Sequence, residues 1–304
     1  MSASGTAFRE NGQLIRYTAF MPDDLLSRAS EQAERSKPPV RAAAMLRIAR
    51  VQTAFDRDQA RHTFEQALDE TRRLAGRDRE FLLEQARLLA AAVAPDLLRE
   101  IPSAGHTPRQ FTSEMLGRIM LEHEHGDAAF EYVIHYDEPS TFPFPVASDL
   151  MQWFGDEERR LAVLRRAIEA WRAAPNDRFI WVFQTQWKEL PREEAVAVAR
   201  EIVRVSLVQP DQPTTATYDQ EGSVRITSGR EHTLFQILHI LRQVDGPLAE
   251  SLIAGHEQLA AAARRFPNGM ESVMQEATAR RIDTCDTGSG GGWGIGGRRG
   301  TFLI

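Results

Sequence analysis

The sequence has 304 residues, of which 42% are hydrophobic and 26% are charged, and its formal net charge is −6. This length and composition suit one large domain or two ordinary domains with packed cores. The acidic balance argues against nucleic-acid binding, because nucleic-acid-binding proteins usually carry a basic domain or a concentrated basic stripe. Good helix formers dominate the composition and β-branched runs are few, which favours an all-α class.

The cysteine count and the apolar segments exclude several further classes. Cys285 is the only cysteine, so neither an intrachain disulfide nor a zinc site built from cysteines can form. Residues 1–20 contain no apolar segment of the kind found in signal peptides. No stretch approaches the roughly 18 apolar residues that are needed to cross a bilayer. We therefore expect a cytoplasmic protein that does not bind membranes.

The first part of the chain predicts an irregular arm followed by paired helices. Residues 1–21 lack helical periodicity, whereas apolar residues recur at helical spacing from Pro22 onward. Short breaks separate the helices, so neighbouring helices should turn back on each other as antiparallel hairpins. We expect one array of such hairpins over residues 22–138.

Three successive helices in this array each predict one buried face. The first opens at Pro38 and Pro39, the second follows Asp56, and the third follows Gly76, with Asp78 as a candidate cap. Thr107 and Pro108 predict the start of a later helix. The predicted stripes are Ala44, Ile48, Val51 and Phe55; then Ala60, Phe64, Ala67, Leu68, Thr71 and Leu74; and then Leu82, Ala86, Leu89 and Val93.

The second half of the chain predicts another hairpin array. Pro139, Pro143 and Pro145 break the chain and form the best candidate boundary between halves. The helices of the second array should lie within residues 146–282. A polar insertion near residues 209–229 interrupts them, and a short strand or extended segment is expected within it at 223–227. The helices predicted for this array cover residues 157–174, 177–189, 193–207, 248–265 and 271–282, with a further one around 234–241.

One helix resembles a known repeat family. Ala60, Phe64 and Ala67 are spaced as in the second helix of a tetratricopeptide-type repeat, although the first helix of the hairpin lacks the family's aromatic residue. The resemblance covers about one repeat. It implies a right-handed, α-solenoid-like array of antiparallel helical hairpins that binds a protein or peptide partner, because stacked hairpins form extended concave surfaces.

Histidines and carboxylates cluster in one segment of the first half. His123, His125, Asp127 and His135 lie close together in sequence and are candidate ligands for a metal ion. His123 and His125 are two residues apart, so on one helix they would point to different faces. The simpler interpretation places both at a helix C-terminus before Gly126, so we expect no metal cofactor.

Two further groups of residues favour structural roles. Residues 179–183 form the most apolar segment and indicate a central buried helix, although a ligand or peptide groove is the alternative. His232 and His239 are seven residues apart and should lie on one side of one helix. Because no third ligand or base accompanies them, we expect structural histidines.

The C-terminal tail, residues 283–304, contains a Gly/Ser linker and apolar residues beside two arginines. Its candidate partner-binding residues are Trp293, Ile295, Arg298, Arg299 and Phe302. Residues 294–299 weakly resemble the cargo-loading peptides of encapsulin nanocompartments. This resemblance implies docking of the tail on a partner, although the expected leucine is missing. The alternative is a flexible tail without a role.

Three functions therefore stay open. The leading hypothesis is a non-catalytic helical-repeat scaffold or adaptor that needs no cofactor. The second is a metal-dependent enzyme with a helical fold that uses residues 122–137. The third is a protein that is targeted or processed through its Gly-rich tail.

Overall fold

The computed structural model describes residues 8–10, 13–15, 22–103, 109–218 and 224–286. Within these residues the chain contains fifteen α-helices and two short two-stranded sheets, so the all-α class is confirmed. None of the helices in the described ranges is long and apolar enough to cross a membrane. The chain divides into two compact units, Met1–Pro175 and Asn176–Ile304.

The first unit begins with a two-stranded antiparallel hairpin within the segment expected to be irregular, and continues as helices. Its elements are β1 (Phe8–Glu10), β2 (Gln13–Ile15), α1 (Pro22–Glu34), α2 (Pro38–Gln52), α3 (Arg57–Arg73), α4 (Gly76–Val93), a 3-10 helix (Pro95–Glu100), α5 (Arg109–Glu122), α6 (Gly126–Ile134), a 3-10 helix (Pro139–Thr141), α7 (Phe144–Trp153) and α8 (Glu157–Ala173).

The first four helices pack in chain order. Helix α1 contacts α2, α2 contacts α3, α3 contacts α4, and α2 also contacts α4. Asp56 caps α3 by accepting a hydrogen bond from the Gln59 backbone N–H at 2.9 Å. Ala60, Phe64 and Ala67 of α3 are completely buried. The small side chains let the helices approach closely while the phenylalanine fills the space between them.

Helix α2 buries only part of the expected stripe, since Ile48 is 6% exposed while the other buried apolar side chains lie outside that stripe. Its buried side chains include Ala42, Leu46 and Ala49. By contrast, Val51 is 49% exposed, and Phe55, which follows the helix, is 63% exposed. The helix is apolar on more than one side, so periodicity alone could not decide which stripe enters the core. The expected stripe therefore lies partly on the surface.

Asp78 also differs from its expected role. Helix α4 begins at Gly76, so Asp78 lies in the first turn, and Ala75 occupies the N-cap position. The start signal at Thr107 and Pro108 lies outside the described residues, and α5 begins directly after it at Arg109.

The proline-rich corner lies inside the first unit rather than between two units. Phe142 and Phe144 are both 1% exposed, and their ring centroids are 4.8 Å apart. The corner turns the chain while its aromatic side chains fill the core between neighbouring helices. The division between units falls instead at Pro175, where Asn176 caps the next helix by accepting from the Arg178 N–H.

The second unit contains seven helices and one hairpin in the described residues. Its elements are α9 (Asp177–Gln186), a 3-10 helix (Trp187–Glu189), α10 (Arg192–Val208), β3 (Pro213–Thr217), β4 (Arg225–Ser228), α11 (Gly229–Gln236), α12 (Leu238–Val244), α13 (Gly246–Gly255), α14 (Glu257–Arg265) and α15 (Met270–Asp286).

The polar insertion forms an antiparallel hairpin. Strand β3 pairs with β4, and the completely buried Ile226 of β4 fixes the hairpin to α11 and α14. Two predicted helices are each divided in the structure. A break at Ile237 separates α11 from α12, and the extended backbone of His256 separates α13 from α14. Apolar spacing continues across both breaks, which is why the sequence predicted single helices.

Candidate functional site

An apolar groove on the first unit is a candidate binding site. It lies between α1, α2 and the first turns of α4, and its volume is about 520 Å³. Its lining residues are Ala29, Pro39, Val40, Ala43, Ala44, Arg47, Ile48, Asp78, Phe81 and Leu82. We call this feature the α1–α2–α4 groove. Its volume is within the range that is usual for ligand pockets.

The floor and the walls of the groove differ in exposure. Ile48 and Leu82 form the floor and are 6% and 5% exposed. Val40 on α2 and Phe81 on α4 stand at the walls and are 58% and 63% exposed. Small alanine side chains occupy much of the remaining lining, which leaves room above the floor. The free chain thus exposes a phenylalanine and a valine at a recess that neither side chain fills.

Two of the exposed large hydrophobic side chains, Val40 and Phe81, line this groove directly. Five of the ten large hydrophobic side chains that are exposed in the described residues lie within residues 25–81: Leu25, Val40, Val51, Phe55 and Phe81. Val51 continues the α2 stripe that runs through Val40 and Ala44, and Leu25 lies one turn before Ala29 on α1. Contiguous exposed apolar patches usually mark interaction sites.

The groove also carries one charge of each sign. Arg47 on α2 and Asp78 on α4 line it and are both exposed. Within the described residues neither side chain forms an ion pair or a side-chain hydrogen bond. By contrast, Arg61 of the neighbouring α3 is engaged, because it pairs with Asp96 at 2.7 Å. The two charges of the groove are therefore available to a bound molecule.

Three of the four metal-ligand candidates of the first unit have separate partners. The His125 Nε2–H donates to the carbonyl oxygen of Ala92 near the end of α4, at 2.8 Å. Asp127 pairs with Arg159 at 2.6 Å, and His135 Nδ1 lies 3.2 Å from a carboxylate oxygen of Glu131. No group of three or more His, Cys, Asp or Glu side chains in the part of the chain that the structure describes could hold a metal ion.

The histidines of this segment do follow a helix C-terminus. Helix α5 ends at Glu122, and Glu124 takes the left-handed backbone conformation with a φ of 64°. Gly126, which begins the next helix, packs closely against Trp153. A Cβ atom at this position would collide with the Trp153 indole. Burial lowers the pKa of His123, which keeps its imidazole neutral near pH 7.

His232 and His239 lie on two consecutive helices, α11 and α12, because the helix breaks between them. The ring of His232 stacks on Tyr218 of the hairpin, with 6.1 Å between the ring centroids. His239 is 7% exposed. Burial lowers the pKa of both histidines and raises the pKa of Tyr218. The two histidine rings therefore have a structural role, since they pack inside the second unit in the uncharged form.

The apolar segment of α9 is mainly core. Phe179, Ile180, Val182 and Phe183 are buried, and the two phenylalanine rings are stacked with their centroids 5.9 Å apart. Trp181 is 48% exposed and is the exception. The expected central helix is therefore buried on all but one side.

The candidate binding residues of the tail lie outside the described residues, as do all positions after Asp286. Docking of the tail on a partner stays a prediction from the sequence.

Comparisons with known proteins do not indicate a function for this chain, so the function has to be inferred from its own geometry. No family model, no curated protein and no solved structure matches it. The sequence points to histidines and tail residues as candidates and does not predict the groove. The signal that could have found the groove is the apolar character of α2 on two faces, since only one face can enter the core.

Proposed function

We propose that this chain is a non-catalytic scaffold or adaptor that binds an apolar segment of a protein partner in the α1–α2–α4 groove. The observation that carries the proposal is the exposure of Val40 and Phe81 at the walls of an apolar recess. Burying apolar surface contributes roughly 25 cal/mol per Å², so covering this recess favours association.

The partner segment is an amphipathic helix. A groove between helices accepts apolar side chains that recur at positions i, i+3 or i+4, and i+7 of a bound helix. The alanines at positions 29, 43 and 44 permit a close approach of that helix. Phe81 supplies an aromatic anchor, and aromatic residues dominate the energetics of many protein interfaces.

The proposal extends to the architecture. The first unit forms a right-handed, α-solenoid-like array of antiparallel hairpins, which resembles tetratricopeptide repeats. Support comes from the order of the contacts among α1 to α4 and from the complete burial of Ala60, Phe64 and Ala67. In such an array the binding surface is built from successive helices, as it is in this groove.

The test is a selection of helical peptides from a display library on the immobilised full chain. We expect the selected peptides to share apolar residues at helical spacing. We also expect Phe81→Asp to weaken their binding at least about tenfold, because a charge would replace the central apolar anchor.

Met274→Asp is the matched control, since Met274 is also exposed, at 58%, but lies on α15 of the second unit. Binding of the selected peptides should be unchanged by this substitution. Enriched peptides that ignore Phe81→Asp, or a selection that enriches no helical pattern, would contradict the proposed function.

A further inference from the structure

The groove combines an apolar recess with an apolar side chain that projects beside it. Phe81 rises from one wall with 63% of its surface exposed, and the recess beside it is lined by small and apolar side chains. A surface that carries both a knob and a hole can pair with itself. In a two-fold symmetric interface the same patch is used by both copies, so each knob enters the hole of the other copy.

The charges of the groove fit the same arrangement. Arg47 lies on the α2 wall and Asp78 on the α4 wall, and neither has a charged partner within the described residues. In the two-fold arrangement that we infer, the α2 wall of one copy lies against the α4 wall of the other. Arg47 then faces the partner's Asp78, and the pair occurs twice. A partner with a single sign of charge would satisfy only one of the two residues.

This inference rests on the proposed role of the groove in protein binding. We infer that a second copy of this chain occupies the groove when no partner helix is bound. The inferred dimer inserts each Phe81 into the opposite recess and pairs each Arg47 with the partner's Asp78. Val51 and Leu25, which are 49% and 51% exposed, lie about one helical turn from the lining residues Ile48 and Ala29, so the inferred interface extends to them. Self-association covers the surface that an amphipathic helix would use, so the two binding events compete.

The charge pair gives the inference a test that uses only the full chain. Sedimentation velocity over a range of concentrations measures the dimer dissociation constant of the wild type and of Arg47→Asp, Asp78→Arg and the double variant. Each single substitution places like charges opposite each other twice, so we expect about a tenfold or larger weakening. The double variant restores opposite charges and should return to within about threefold of the wild type.

Phe81→Asp should abolish the dimer, whereas Met274→Asp should leave it unchanged, and far-UV circular dichroism checks that each variant is folded. A wild type that is monomeric at every concentration would overturn the inference, and so would a double variant that dimerises no better than the single variants. A monomeric wild type that still binds the selected helical peptides in the groove overturns only the dimer. A chain that dimerises with charge-swap rescue but selects no helical peptide supports the dimer and removes the adaptor function.

Discussion

Phe64 and Phe81 have opposite environments in the first unit, and truncating each to alanine tests whether the groove is open in the monomeric chain. Phe64 is 0% exposed and Phe81 is 63% exposed. Replacing a fully buried phenylalanine by alanine costs about 3–5 kcal/mol, because the lost contacts leave a cavity. Fully burying a phenylalanine side chain contributes roughly 1.5–3 kcal/mol, so the buried third of Phe81 contributes only about 0.5–1 kcal/mol.

Thermal denaturation followed by far-UV circular dichroism measures the difference. For a unit of this size each kcal/mol lowers the Tm by about 2–4 °C. We therefore expect Phe64→Ala to lower the Tm by about 6–20 °C and Phe81→Ala to lower it by about 1–4 °C. At a protein concentration where the chain is monomeric, equal decreases for the two variants would refute the reasoning, since they would mean that Phe81 is packed in the core of its own chain.

Three further predictions concern other parts of the chain. Gly126→Ala should destabilise the first unit by about 1–3 kcal/mol, because its methyl group would displace the Trp153 indole, whereas Gly155→Ala has open space and should change the Tm little. The pKa values of His232 and His239 lie below the ordinary 6.5 because of burial, so the folded state binds fewer protons than the unfolded chain in mild acid. The free energy of unfolding should therefore have its full value above pH 6.5. It should decrease as the pH falls from 6.5 towards the lower pKa values of the folded state. The Tm measured across this interval should fall less in a variant with both histidines replaced by glutamine, and an equal fall in both proteins would remove this explanation. Metal analysis of the purified chain should give no stoichiometric zinc, iron or manganese, and one equivalent of any of them would favour the enzyme hypothesis.

The helical class followed from the sequence because each helix carries a local signal. Asp56 has the residue type and position of an N-cap, and its carboxylate caps α3 in the structure. The burial of Ala60, Phe64 and Ala67 also followed, since α3 is polar on its other faces.

The surfaces of the fold could not be predicted in the same way. Val51 and Phe55 follow the spacing of a core stripe, and only the position of the neighbouring helices places Leu46 inward and Val51 outward. Prolines break helices, so the sequence predicts a boundary at the proline corner near residue 142, whereas the burial of its aromatic side chains depends on packing against other helices.

The candidate site was missed for a related reason. His125 and Asp127 were selected by residue type, but a neighbouring carbonyl group and Arg159 already engage them. Alanines and a valine have no chemical signature in the sequence, and they form a groove only where three helices meet.

Isothermal titration calorimetry of a selected helical peptide against the full chain and against Phe81→Asp is the most direct test of the groove as a protein-binding surface. Since the peptide would bury apolar surface, we predict a negative heat-capacity change on binding to the wild type. We also predict that the affinity for Phe81→Asp is at least about tenfold lower. Equal affinity for the two proteins would place binding elsewhere on the chain and contradict the account.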